Sequence, residues 1–408
     1  MKFFLHIVLN TFLFLLIFKV DFFGMMPFSI DKFFIIFAGI VLFVFEKQNN
    51  YVFFSKKHVY LLIMAVYGVF VSLFYNNEIN HQVYRFLLFV IEVYITSFFI
   101  VRLYTNVLNK NNIYFFRVFT YCILIQSLLI VISFIQPTIF NFLDLLTPLT
   151  GSNFDESSFR VFRGISNSSG SAFSVVLSLG VLCHLYVTKA KNKNVNLLYI
   201  LPVFLATAIN GRTGILLIVL FLVVYGVIFV KRKIFLKLTF MGIILMIFIP
   251  QIVHYFFSNN TRNDKIESWY SEVYQVFDKK TKSNDDVNSF KKNHLILPEK
   301  YLNMFFGSGF DPNNYVNGGV SSDSGMIKNV FSFGLILTVL FYFGLVFGII
   351  ISGKKINSTV ELFFSLGLII VIILGEIKEP ILFKTFLGKM VFITLFLRNN
   401  HSFGRISF

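Results

Sequence analysis

Apolar runs that recur along the whole chain, separated by short polar connections, limit what it can fold into. The runs are rich in Phe, Leu, Ile and Val, and at roughly 15 to 23 residues they bracket the ~20 that a helix needs to cross a bilayer core. A span in lipid must satisfy its backbone groups internally, which a run of this length does as a helix. Hydrophobic residues make up 56% of the 408 residues and charged ones 14%, whereas soluble domains hold about 45–50% and about 25%. The sequence therefore predicts an all-α polytopic membrane protein, a single integral membrane domain over 1–408.

Hydropathy picks out about twelve transmembrane helices. They fall near 3–18, 28–45, 58–74, 84–101, 115–136, 171–188, 196–209, 213–230, 234–257, 327–351, 360–375 and 381–397. If the helices alternate in direction, the clusters around Lys47, Lys56 and Lys57, around Arg102, Lys110 and Arg117, around Lys189, Lys191 and Lys193, and at 231–237 share one side with Lys354, Lys355, Arg398 and Arg405. That side is the cytoplasm by the positive-inside bias. Both termini are then expected inside, and two long segments, 137–170 and 258–326, outside, the larger one lying between helices nine and ten. The first run meets no small-residue cleavage site before Lys19, so it is expected to stay as a span.

A net charge of +16 is compatible with nucleic acid only if the cations form one face. Here they are divided among helix ends, and no nucleic-acid partner is expected. Cys122 and Cys183 both fall within expected spans, which argues against a disulfide framework or a zinc site. There is no Walker A loop, no dinucleotide fingerprint and no H-E-x-x-H pair, so ATP-driven transport and zinc hydrolysis lose support. Gly344 and Gly348 form a small-xxx-small pair suited to helix packing. Glu92, inside an expected span, calls for a partner.

The large external segment, 258–326, is far longer than the usual connection of about 4–6 residues. Ile266, Trp269, Tyr270, Val273, Tyr274 and Phe277 recur in it at helical spacing, the pattern of an amphipathic helix on a membrane surface. Further on come Gly307-Ser308-Gly309 and Ser322-Asp323-Ser324-Gly325. Ser, Asp and Ser before a helix are good N-caps, and a carboxylate at Asp323 is also suited to accept a proton from a hydroxyl. His294 is a second candidate base or an ordinary loop histidine.

Three arginines run against the charge bias. Arg160 and Arg163 sit within 158–170, and Arg212 sits in Asn210-Gly211-Arg212-Thr213-Gly214, a hairpin between two expected helices. A guanidinium at the headgroup layer grips phosphate bidentately, or simply snorkels to lipid phosphate. The bend Gly375-Glu376-Ile377-Lys378-Glu379-Pro380 packs three charges between apolar helices. Ionisable groups there face a wet interior or form a local ion pair at a helix start, and Glu376 is a third candidate base.

Taken in order along one membrane chain, Arg163-Gly164 with Asn167 and Gly170, Gly211-Arg212-Thr213-Gly214, Gly307-Ser308-Gly309 with Ser322 to Gly325, and Glu376 to Pro380 resemble the bacterial O-antigen polymerase family, often called Wzy, within the group that includes O-antigen ligases. The resemblance implies a glycosyltransferase of the bacterial cytoplasmic (inner) membrane. It would join undecaprenyl-diphosphate-linked oligosaccharide units at the outer face, with a chain-length-regulating membrane protein as partner. Arg163 and Arg212, with Arg160, would stabilise the departing diphosphate. Asp323, or else His294 or Glu376, would take the acceptor proton. Trp269, Tyr270 and Tyr274 are suited to stack on sugar faces or to cover the cavity. No cofactor and no metal is implied. A ligase passing the glycan to lipid A core has the same architecture, and a lipid-linked oligosaccharide flippase is the alternative of another class, disfavoured by the lack of repeated halves.

Overall fold

The computed structural model describes residues 2–22, 29–45, 58–148, 162–168, 170–230, 297–298, 300–309, 324–354 and 358–400, with the side chains of Lys2, Asn76, Arg212, Lys354, Asn399 and Asn400 excepted. Among the described residues every element is a helix and none is a strand. The helices are α1 (Lys2–Phe18), α2 (Ile30–Phe45), α3 (Val59–Asn76), α4 (His81–Val107), α5 (Asn112–Ile135), α6 (Pro137–Leu146), α7 (Gly170–Ala190), α8 (Leu197–Asn210), α9 (Arg212–Phe229), α10 (Tyr301–Phe306), α11 (Gly325–Lys354), α12 (Thr359–Lys378), α13 (Ile381–Lys384) and α14 (Leu387–Asn400). Five of them, α4, α5, α7, α11 and α12, are long and apolar enough to cross a membrane. Their neighbours turn large apolar side chains outward, among them Ile36, Ile40 and Phe43 on α2 and Val66, Phe70 and Phe74 on α3. Such faces suit lipid rather than water, and the chain is a helical membrane protein.

A helix covers each expected run except 381–397, which is divided between α13 and α14 at Thr385 and Phe386, and 234–257, which lies outside the described residues. The segment expected as the first external loop is different: Pro137 opens α6 at its first position, as proline favours, and residues 162–168 thread back among the helices with Phe162, Arg163 and Ser166 buried. The second, 258–326, is described only at 297–298, 300–309 and 324–326.

At the centre stands α7, buried from Gly170 to Cys183. An all-round apolar helix is a buried one, and its small residues let neighbours approach. A Cβ at Gly180 would lie 2.5 Å from Ile123 on α5. The hydroxyls of Ser174 and Ser178 donate to carbonyls one turn back, on Ser171 and Val175, so they need no polar partner elsewhere. Around α7 pack α5, α8, α9 and α12. Cys122 and Cys183 are free buried thiols.

Helix α11 is interrupted at Gly334 (φ 81°, ψ 162°), a conformation open essentially to glycine. Gly307 (φ 84°) packs on the interruption, and a Cβ at Gly334 would lie 2.3 Å from the Phe305 carbonyl oxygen. The short α10 thereby lies across α11, held also by the Tyr67 hydroxyl, which donates to the Phe306 carbonyl at 2.6 Å. Further along α11, a Cβ at Gly344 would meet Tyr60 at 3.0 Å and one at Gly348 would meet Leu395 at 3.5 Å, so the pair packs against α3 and α14.

Buried ion pairs tie distant helices together. Arg398 on α14 donates to Glu361 on α12 (Nη2 to Oε2, 2.6 Å) and to the Ile349 carbonyl of α11 (3.2 Å). The Tyr186 hydroxyl of α7 donates to the same carboxylate. Lys389 pairs with Asp31 at 2.7 Å, both buried. Nearer the surface, Glu92 pairs with the exposed Lys32 at 3.7 Å, which supplies the partner its place in a span requires.

Candidate functional site

The segments carrying the sequence motifs come together at one end of the bundle. Asn210, the last residue of α8, donates from Nδ2 to the Phe162 carbonyl at 3.1 Å. Gly211 then lets α9 start against the first turn of α7: a Cβ there would lie 2.9 Å from Ser174 Oγ and 3.0 Å from Ser171 Cα. Gly214 sits closer still, its amide donating to Ser174 Oγ at 3.2 Å, and an added Cβ would be 2.4 Å from the Ser174 carbonyl oxygen. Both glycines are therefore packing requirements of the turn, a close-approach role rather than a flexible one.

The last turn of α12 reaches the same place. Lys378 Nζ donates to Thr213 Oγ1 at 3.2 Å, and Ser171 at the start of α7 donates to the Glu379 carboxylate. The bend expected after residue 375 begins later, because α12 continues helically to Lys378. Ser324 closes the ring, its hydroxyl meeting the Glu376 carbonyl at 3.3 Å, and a Cβ at Gly325 would lie 2.4 Å from Glu376 Oε2 and 2.6 Å from Pro380 Cα. Gly309 enters through Asn80, whose Nδ2 donates to its carbonyl at 2.8 Å and to Ser332 Oγ at 3.1 Å.

Glu376 is the buried acid of this end, with 0% of its surface exposed. Its Oε2 accepts from the Tyr342 hydroxyl at 2.6 Å and its Oε1 from the Leu382 amide at 2.6 Å. Behind Tyr342, Asn329 Nδ2 donates to the phenol oxygen at 2.9 Å, and Gln82 Nε2 donates to Asn329 Oδ1 at 2.8 Å. Each donor in this chain points toward the carboxylate, the order expected when an acceptor-only group terminates the network. The network joins α4, α11, α12 and the start of α13.

Arg163 stands differently from the sequence expectation. Its guanidinium is 2% exposed and donates to the carbonyls of Ser166 and Thr147, both at 2.5 Å, with Asp144 Oδ1 at 3.4 Å. Burial draws the guanidinium below its usual range and the Asp144 carboxylate draws it back up; it stays charged, as arginine does in proteins. The Arg163 carbonyl accepts from Gln126 Nε2 at 2.6 Å, and Gly164 takes a positive φ of 60°. The result is a clamp that ties residues 144–147 to the 162–168 loop, because the donors that would grip a phosphate already hold backbone. Ser166 Oγ and the Asn167 amide tie the same loop to the Phe18 carbonyl, both at 3.1 Å.

Arg212 is the first residue of α9, its side chain lying outside what is described. Arg160, Trp269, Tyr270, Tyr274, His294 and Asp323 all lie outside the described residues. Of the candidates, the structure thus brings together Arg163, Glu376 and the backbone of Arg212. Sequence reasoning did not single out Gln82, Asn329 and Tyr342; the signal was there in the two amides, since polar residues beside or within apolar runs rarely lack a purpose. Two buried acceptors here, Asn210 Oδ1 and Gln126 Oε1, have no donor among the described residues, an arrangement that a hydroxyl-bearing ligand or water would satisfy. Among the described residues no three His, Cys, Asp or Glu side chains gather as metal ligands would.

No protein-family model and no curated protein matches this chain.

Proposed function

We propose that the chain is a membrane glycosyltransferase of the O-antigen polymerase kind, which extends a surface polysaccharide by joining undecaprenyl-diphosphate-linked repeat units at the outer face of the bacterial inner membrane. The observation that carries this reading is the convergence of residues 162–168, 210–214, 307–309, 324–325 and 376–380, remote in sequence, around one buried carboxylate at one end of the bundle. The starts of α7, α9 and α11 meet there, and helix starts favour negative charge. The orphan acceptors of Asn210 and Gln126 suit sugar hydroxyls.

On this reading the twelve-span topology holds, with both termini cytoplasmic and 258–326 outside. Attack by an acceptor hydroxyl on the donor anomeric carbon breaks the bond to diphosphate, whose new charge Arg212 and Arg160 stabilise. Asp323, which directly precedes the Ser324 that meets Glu376, takes the hydroxyl proton. Arg163 and Glu376 serve as positioning residues, holding the loop 162–168 and the starts of α11 and α13.

Deleting the gene is expected to reduce the glycan ladder to single repeat units, and a plasmid copy to restore it. Arg212→Ala and Asp323→Asn should not restore it at normal protein levels. Wild-type ladders from both would end the proposal. Polymer accumulating on the polyprenyl carrier before any attachment to core separates a polymerase from a ligase. Because Cys122 and Cys183 are buried, Thr213→Cys offers a site for a membrane-impermeant thiol reagent, and labelling only from the cytoplasmic side would reverse the assigned orientation.

A further inference from the structure

The opposite end of the bundle holds a second, unrelated arrangement. There α4 finishes in a wide turn at Leu103–Val107, Asn109 adopts a positive φ of 51°, and Asn111 caps α5 by accepting the Tyr114 amide at 2.9 Å. Lys191 follows the end of α7. Together they line an open pocket of about 380 Å³, whose walls include Lys110, Asn111, Tyr114, Arg117 and Lys191. With α7 running about 30 Å at ~1.5 Å per residue, this cavity and Ser171 lie a bilayer core apart.

Three cations face this cavity, and among the described residues no carboxylate pairs with any of them. Lys110 Nζ and the Arg117 guanidinium sit 5.1 and 5.0 Å from the centre of the Tyr114 ring, and the phenol is itself fixed by a hydrogen bond with His6. Arg117 Nε is buried with no acceptor. Slight desolvation, then the Arg117 and Lys193 charges, hold the exposed Lys191 ammonium below the usual lysine range. Orientation in the membrane needs positive charge on this side, but it does not need three cations drawn around one ring and one cavity, where they repel. An anion resolves the repulsion and gives Arg117 Nε its acceptor.

We propose that this cavity binds a phosphate group, presented by an anionic lipid headgroup or as free phosphate, with Arg117 and Lys191 as its principal ligands and Lys110 and Tyr114 closing one side. A tetrahedral phosphate, free or as a headgroup diester, presents its oxygens in more than one plane, so it meets a guanidinium fork and a neighbouring ammonium group together more readily than a planar carboxylate does. The site is independent of the chemistry proposed at the other end.

The test uses the full chain purified in delipidated detergent, followed by thermal unfolding and native mass spectrometry. Inorganic phosphate is titrated against potassium chloride of matched ionic strength, which controls for screening, and phosphatidylglycerol against phosphatidylcholine. Wild type should gain stability with one of the two phosphate sources, and Arg117→Gln and Lys191→Gln should each weaken that binding by ~10-fold or more, the order a charge-assisted contact supplies. Lys300→Gln, remote from the cavity, should not. Lys191 is exposed beyond the end of α7, so its variant folds even if Arg117→Gln does not. A response to phosphatidylglycerol alone identifies a headgroup, and a response to inorganic phosphate identifies the free ion. Equal responses of wild type and Lys191→Gln, no response to either source, or, with inorganic phosphate inactive, a phosphatidylcholine response equal to that of phosphatidylglycerol, would overturn the proposal.

Discussion

Replacing Arg163 by methionine separates a clamp from a substrate ligand. The change keeps an extended side chain but removes the donors that hold the Thr147 and Ser166 carbonyls, each at 2.5 Å. A buried acceptor left without a donor costs ~1–3 kcal/mol, so the two together cost ~2–6 kcal/mol. The Asp144 contact adds little, since that carboxylate is 48% exposed and exposed pairs contribute ~0–1 kcal/mol. A loss near ~4 kcal/mol lowers the unfolding midpoint by several degrees, because ~1 kcal/mol moves a domain of about 150–250 residues by ~2–4 °C and a longer chain by less. Thermal unfolding in detergent reads this directly, alongside the glycan ladder from the same cells. Arg163→Lys retains the charge without the fork and should fall between. An unchanged midpoint with a lost ladder would refute the clamp and return Arg163 to the diphosphate.

Gly214→Ala forces a Cβ to within 2.4 Å of the Ser174 carbonyl oxygen, and overpacking of that kind costs ~1–3 kcal/mol; lower yield and a lower midpoint than wild type should appear, and normal values would show that α9 can shift freely on α7. Tyr342→Phe removes the donor to Glu376 Oε2 and the acceptor of Asn329, a loss of ~1–3 kcal/mol that should reduce the ladder with the protein still present. Arg398→Met leaves Glu361 without its cation and should cost ~3–5 kcal/mol, most of it recovered when Glu361→Gln is added, because a broken buried pair is worse than none. Protein yield and midpoint across the four combinations would show additivity if the two side chains do not interact.

Much of this architecture could be read from the chain. Eleven expected runs carry helices because a run of Phe, Leu and Ile has few other ways to satisfy its backbone in lipid, and the short motifs marked the segments that converge. What could not be read was direction. Arg163 and Arg212 look alike as outward arginines, yet the Arg163 guanidinium turns inward because Thr147, Ser166 and Asp144 come to meet it, and that depends on how α6 and the 162–168 loop fold back. The Gln82, Asn329, Tyr342 and Glu376 network was hidden for the same reason, since its members are drawn from three helices and only packing sets their order. Gly334 offered no warning either: a glycine amid apolar helix formers reads as a packing site, and at its positive φ it packs on Phe305 and Gly307, from a different part of the chain.

Because α7 is walled in by α5, α8, α9 and α12, it offers no face to the acyl chains. For the polyprenyl-linked substrate proposed above, the tail would then have no route along that rod and would slip in where an outer seam parts, such as beside α3, whose Val66, Phe70 and Phe74 are exposed. The innermost helix acts as a fixed axle, and any yielding needed to admit so bulky a guest falls to the periphery.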